Sequence, residues 1–168
     1  SLITIDKSFI RSHLDYYGFI YNRPSNETLT RNIEPIQYNA TFAITGAIKG
    51  TSKEKLHQEI GLEYLSDRRW CRCLTTFYKI LNNKGPTYLY SLIPAITTNF
   101  RTRFKATLHQ YFTRTETFEN SFFPNVIKEW NVLDINLNNS SSISAFKNYI
   151  IGLIRPKFNS TFLVHNIL

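Results

Sequence analysis

Tyr64-Leu65-Ser66-Asp67-Arg68-Arg69-Trp70-Cys71-Arg72-Cys73-Leu74-Thr75-Thr76-Phe77-Tyr78-Lys79-Ile80-Leu81-Asn82 decides the fold class. At about 100° per residue, Trp70, Cys73, Leu74, Phe77, Ile80 and Leu81 share one side of a helix. Arg68, Arg72 and Lys79 fall opposite, with Arg69 on a flank. Asn82-Asn83-Lys84-Gly85-Pro86 then ends the helix, because Gly accepts the left-handed cap and Pro cannot continue the hydrogen-bond ladder. A long two-faced helix is stable only when its apolar side is covered, so the chain must supply further helices.

Toward the N-terminus, Leu2, Ile5, Phe9, Ile10, Leu14 and Tyr17 recur at helical spacing with Lys7, Arg11 and Asp15 between them, which predicts a helix. Asn22-Arg23-Pro24-Ser25-Asn26 breaks it, and Ser25 is a good cap for a second helix. That helix is expected to bury Leu29, Ile33, Ile36, Ala40, Ala43 and Ala47, to turn Arg31, Glu34 and Asn39 outward, and to kink or divide at Pro35. Thr51 and Glu54 have capping-box spacing for a short third helix ending at Gly61.

Toward the C-terminus, a short helical piece covers Thr87 to Leu92, and then the period is lost. From Pro94 to Thr115 the alternation of Phe104, Ala106 and Leu108 with Arg103, Lys105 and Thr107 suggests a strand or extended connector. Phe122, Val126, Ile127, Trp130 and Leu133 resume a helical stripe, with Pro124 tolerable near its start. The polar loop Asn138-Asn139-Ser140-Ser141-Ser142 can cap a last helix carrying Ile143, Phe146, Ile150 and Leu153. The expectation is therefore a mainly α chain, a bundle of about six to eight helices with a short extended or β connector near residues 100–115. A helical region at residues 1–93 would be followed by a connector and a smaller helical unit at 94–168.

Composition narrows the class. The chain has 168 residues, 42% hydrophobic and 15% aromatic, which is a globular balance able to build a core. No apolar run approaches the roughly 20 residues of a membrane span, and no secretory signal is visible at Ser1-Leu2-Ile3-Thr4-Ile5-Asp6. An intracellular protein, cytoplasmic or nuclear, is expected. The absence of Met and a start inside a helical pattern suggest a part of something longer. Cys71 and Cys73 lie about 200° apart on a helix, so they cannot bond each other, and His13, His57, His109 and His165 are too scattered to complete a zinc site.

The formal charge of +8 favours polyanionic partners. Arg68, Arg69, Arg72 and Lys79 on the central helix, and Arg101, Arg103 and Lys105 on one side of the extended segment, are the candidate phosphate-binding residues. A solvated surface is the alternative for both groups. No catalytic or metal-binding residues are expected. Asp6, Asp15, Asp67 and Asp134 include no adjacent pair of the kind that binds metal ions for nucleotidyl transfer, His13 and Asp15 point to different helical faces, and Gly46-Ala47-Ile48-Lys49-Gly50-Thr51 lacks P-loop spacing. Trp70 and Trp130 lie within apolar stripes and read as core anchors before stacking platforms.

Several segments in order resemble the reverse transcriptases of jockey-like non-LTR retrotransposons. They are Lys7-Ser8-Phe9-Ile10-Arg11-Ser12-His13-Leu14-Asp15-Tyr16-Tyr17-Gly18, Ile36-Gln37-Tyr38-Asn39-Ala40, Ala43-Ile44-Thr45-Gly46-Ala47-Ile48, Gly50-Thr51-Ser52-Lys53-Glu54-Lys55-Leu56, Asp67-Arg68-Arg69-Trp70, Ser121-Phe122-Phe123-Pro124 with Glu129-Trp130-Asn131-Val132-Leu133-Asp134, and Asn139-Ser140-Ser141-Ser142 with Phe146-Lys147. Ser12 stands where the family usually has proline. The resemblance implies the thumb and post-polymerase region of an RNA-directed DNA polymerase, without the aromatic-x-Asp-Asp box that catalysis requires. It further implies an RNA/DNA template-primer duplex and the fingers-palm core of the parent enzyme as partners, with Mg2+ needed by the parent and no cofactor in this segment. The alternatives are a helical protein-interaction module or an inactive relic without a nucleic-acid role and, last, a hydrolase using Cys71 or a histidine.

Overall fold

A computed structural model describes residues 1–16, 31–48, 50–97, 107–133 and 142–154. They are mainly helical, as the sequence predicts. Contacts divide the chain within the long central helix, into one unit built on Ser1–Trp70 and another on Cys71–Leu153.

In the first unit, helix α1 runs without a break through Leu2–Ile5, Asp6–Ile10 and Arg11–Tyr16, and its middle segment is a wider π turn in which the Arg11 amide donates to the Asp6 carbonyl. The apolar row of α1 does not form its buried side. Asp6, Arg11 and Asp15 are the buried residues, while Leu2, Ile5 and Phe9 are 59%, 54% and 66% exposed. The reason is geometric: nine residues on a regular helix put Asp6 and Asp15 about 180° apart. The π turn takes up one extra residue and brings both under the helix with Arg11.

Helix α2, Glu34–Thr45, is turned differently from expectation. Arg31 and Asn32 are helical, Ile33 is a turn, and the helix restarts at Glu34 with Pro35 in its first turn, where a missing N–H costs nothing, so the expected stretch is divided beside Pro35. Gln37 and Thr41 are buried one turn apart, whereas Ile36 and Ala43 are exposed. The Gln37 side-chain NH2 donates to the Glu63 carbonyl at 3.1 Å, and the Thr41 hydroxyl donates to the Tyr38 carbonyl at 2.8 Å, which satisfies these donors inside, while Gln37 Oε1 is buried with no hydrogen-bond partner among the described residues. Leu29 and Ser25 lie outside the described residues. Helix α3, Lys53–Ile60, is capped by Ser52, whose hydroxyl accepts from the Lys55 amide at 3.4 Å. Thr51, expected as the cap, instead donates its hydroxyl to the Ile48 carbonyl. Gly61 closes α3 at φ 68°, a left-handed conformation that glycine enters at little cost. Leu56, Leu62 and Leu65 form the buried apolar centre of this unit.

Helix α4, Leu65–Leu81, has the predicted inner face: Cys73, Leu74, Phe77 and Ile80 are buried, and Tyr78 joins them. In the second unit, helix α5 spans Thr87–Tyr90, and strands β1, Ile96–Thr97, and β2, Thr107–Leu108, pair antiparallel with Ile96 opposite Leu108. The expected extended connector is thus a two-residue ladder over its described part. Helices α6, Glu116–Glu119, α7, Phe122–Val132, and α8, Ile143–Ile154, complete the unit. Ser142 caps α8 by accepting from the Ala145 amide at 3.1 Å.

The core of this unit is aromatic. Phe146 is fully buried, stacks on Tyr78 with centroids 4.3 Å apart and planes at 9°, and meets Trp130 at 5.6 Å. Phe77 meets Trp130 edge-on at 5.3 Å. Each fully buried phenylalanine contributes about 1.5–3 kcal/mol by removal from water, and each aromatic pair about 0.5–1.5 kcal/mol more. Trp130 is half-buried and packs its ring against Phe77 and Phe146, on the side its stripe predicts. Asn131 ties β2 to α7, since its side chain accepts from the Leu108 amide at 3.0 Å and donates to the Leu108 carbonyl at 2.9 Å.

Candidate functional site

The basic residues of α4 divide into two groups with different neighbours. Arg68 and Arg69 sit in the first turns and are turned onto other helices of the first unit. The Arg68 guanidinium makes a two-point pair with Asp15, in which Nε donates to Oδ1 at 3.2 Å and Nη2 donates to Oδ2. Arg69 is buried and donates through Nη2 to Glu34 Oε1 at 2.8 Å. A planar guanidinium suits such carboxylate pairing, and the same geometry leaves less of it to face a phosphate.

Arg72 and Lys79 are exposed, seven residues apart. Seven residues is close to two turns, so both occupy one outward row about 10 Å long. The buried row of Cys73, Leu74, Phe77 and Ile80 fixes which way they point. Arg101, Arg103 and Lys105 lie outside the described residues. The structure therefore places two of the seven proposed phosphate contacts together on a surface and sends two others into ion pairs.

Those ion pairs belong to a network that the sequence reading missed. Beneath α1, Asp6, Arg11 and Asp15 line up behind the π turn, with Arg68 reaching in from α4. Both Asp6 carboxylate oxygens, and Nε and Nη2 of Arg11, are buried without hydrogen-bond partners among the described residues. Burial pushes the Asp6 carboxyl above its ordinary range, against the opposing pull of the Arg11, Lys7 and Arg68 charges. Burial also lowers the Arg11 pKa, helped by the Arg68 charge and resisted by Asp15, Asp6 and Glu63. The signal in the sequence was present only as charges at positions 6, 11 and 15, which a regular helix spreads around its circumference.

The remaining candidates have structural partners. His57 is buried, with Nδ1 at 3.0 Å from the Leu62 carbonyl and its ring 4.6 Å from that of Tyr64, so it locks the end of α3. His13 is exposed while Asp15 is buried against Arg68, so the two do not orient each other. Cys73 is buried and Cys71 half-buried, both as thiols. Among the described residues no group of three or more His, Cys, Asp or Glu side chains is placed to hold a metal ion. The buried carboxylates also fit a divalent cation poorly, because Asp15 is bonded to Arg68 and Asp6 lies in the field of Arg11. No helix among the described residues is long and apolar enough to cross a membrane.

No family model matches the chain, and neither a curated protein nor a solved structure matches it.

Proposed function

We propose that this chain is a non-catalytic, duplex-gripping segment of an RNA-directed DNA polymerase of the jockey-like retrotransposon kind, acting inside the cell. Copying itself belongs to a fingers-palm core elsewhere in the parent enzyme, which also supplies the Mg2+ site. Two supports stand behind the reading: the ordered resemblance along the chain, and the exposed Arg72 and Lys79 on one row of α4. The row of Arg72 and Lys79 is the observation that carries it. Cations at this spacing on a rigid helix hold phosphates without reading bases, which is what gripping a template-primer duplex of any sequence requires.

The test is the salt dependence of binding to an RNA/DNA template-primer duplex. The variant carrying Arg72→Gln and Lys79→Gln should bind more weakly at low salt, with the slope of log K against log salt reduced by about 1–2. Unchanged affinity and slope would remove α4 from the interface.

A second reading, a helical protein-interaction module, has its own support in the outer faces of α1 and α2, where Leu2, Ile5, Phe9 and Ile36 are exposed. An apolar row facing water along one helix, as Leu2, Ile5 and Phe9 form on α1, marks a surface that a partner can cover. Under this reading the chain's binding is insensitive to salt, and substituting Phe9 with Ser alters partner capture while duplex binding stays the same.

A further inference from the structure

Helix α1 is held by an unusual set of groups. Its buried side is ionic, its outer side is apolar, and the π turn between Asp6 and Arg11 aligns the two. The two halves of the helix are anchored differently. In the second half, Asp15 is engaged at two points by Arg68. In the first half, Asp6 is 2% exposed, yet neither of its carboxylate oxygens has a hydrogen-bond partner among the described residues. An ionised carboxylate in that position has given up its water without replacement, whereas the neutral acid loses far less.

We propose that the first half of α1 is a proton-controlled latch: Asp6 in its neutral form keeps the π turn and the segment from Leu2 to Ile10 docked, and ionisation of Asp6 lifts that segment while the pair of Asp15 with Arg68 holds the second half in place.

The charges that act on Asp6 are Arg11 and Lys7 from its own helix and Arg68 from α4, and all three favour the ionised form. Helix α2 also packs on the π turn, and its acidic residue, Glu34, is bonded to Arg69. Burial outweighs the three cations, so the carboxyl titrates above its ordinary value. The sign follows from that direction. A carboxyl whose pKa is raised on folding supports the docked state fully below the ordinary value of 3.8, and that support is lost as pH rises through the raised pKa. Relaxing the π turn to a regular helix is an available escape, because it rotates the first half by about 100° relative to the second and carries Asp6 toward water. The latch thereby decides whether Leu2, Ile5 and Phe9 are presented on a fixed helix or a loose one.

Amide hydrogen exchange of the full chain, corrected for intrinsic rates and compared at about pH 4.5 and about pH 8, tests the latch. In the natural sequence, protection of the hydrogen-bonded amides in Thr4–Arg11 should fall at the higher pH, while those nearer Tyr16 keep theirs. Asp6→Asn should hold the segment protected at both pH values, and His13→Gln, which removes the nearest histidine of the helix, should behave like the natural chain. Protection that does not change with pH in the natural sequence overturns the proposal. So does equal pH dependence in Asp6→Asn, a loss of protection on acidification, or a failure of Asp6→Asn to fold, since the latch requires a neutral side chain to be the better tenant.

Discussion

Removing the counter-ion of Arg69 separates a structural role for that residue from a nucleic-acid role. Glu34→Ala leaves a guanidinium whose side chain is 7% exposed with its carboxylate partner gone, and Arg69 Nε already lacks a bond. Breaking a buried pair from one side costs about 3–5 kcal/mol, and the 18% exposure of Glu34 shows that some water reaches the pair, so about 2–4 kcal/mol is expected. With a urea dependence near 2 kcal/mol per molar, the midpoint falls by about 1–2 M. The assay is urea unfolding read through exchange of the α2 amides, which reports the first unit alone. The double variant Glu34→Leu with Arg69→Met should return to within about 1 kcal/mol of the natural chain, because neither charge is then buried. In parallel, Arg69→Gln should leave the salt slope of duplex binding unchanged. A loss below about 0.5 kcal/mol in Glu34→Ala, or a double variant as weak as the single one, refutes the assignment of this pair to the fold.

Other perturbations give distinct readouts. Phe146→Ala should cost the second unit about 3–5 kcal/mol, and Phe146→Leu clearly less, as seen by calorimetry; equal losses would mean that stacking on Tyr78 contributes little. Asn131→Ala strands the Leu108 amide and carbonyl, so exchange of the β2 amides should accelerate, with a loss of about 1–3 kcal/mol. Ser52→Ala removes the cap of α3 and should cost about 1 kcal/mol, whereas Thr51→Ala, predicted as the cap from spacing, should cost less; the reverse order would restore Thr51 to that role. As pH rises above the ordinary carboxyl range, exchange in the first half of α1 should quicken in the natural chain and not in Asp6→Asn, as set out above.

How the sequence and the folded chain share the decisions can be seen helix by helix. The period of α4 alone gave its inner face, and Cys73, Leu74, Phe77 and Ile80 are buried where it put them. The stops at Gly61 and after Leu81, the start of α7 near Pro124 and the capped start of α8 were equally legible, because caps and breakers act on the backbone within a few residues. For α2 the apolar period predicted the inner face wrongly, and in α1 the apolar row faces outward. A one-residue π insertion changes the facing of everything beyond it and leaves no mark in a hydrophobic pattern. Gln37 is buried with its NH2 donating to the Glu63 carbonyl, 26 residues away, which the local pattern does not reveal, whereas Thr41 bonds the Tyr38 carbonyl of its own helix. The candidate site divides the same way. That α4 carries a basic row was evident from its letters, but which arginines face water depended on where Asp15 and Glu34 arrived. Local chemistry determined that these residues form helices and where most of them end. The tertiary structure decided which faces turn inward and which charges are paired, because the partners that pair Arg68 and Arg69, Asp15 and Glu34, come from distant parts of the chain.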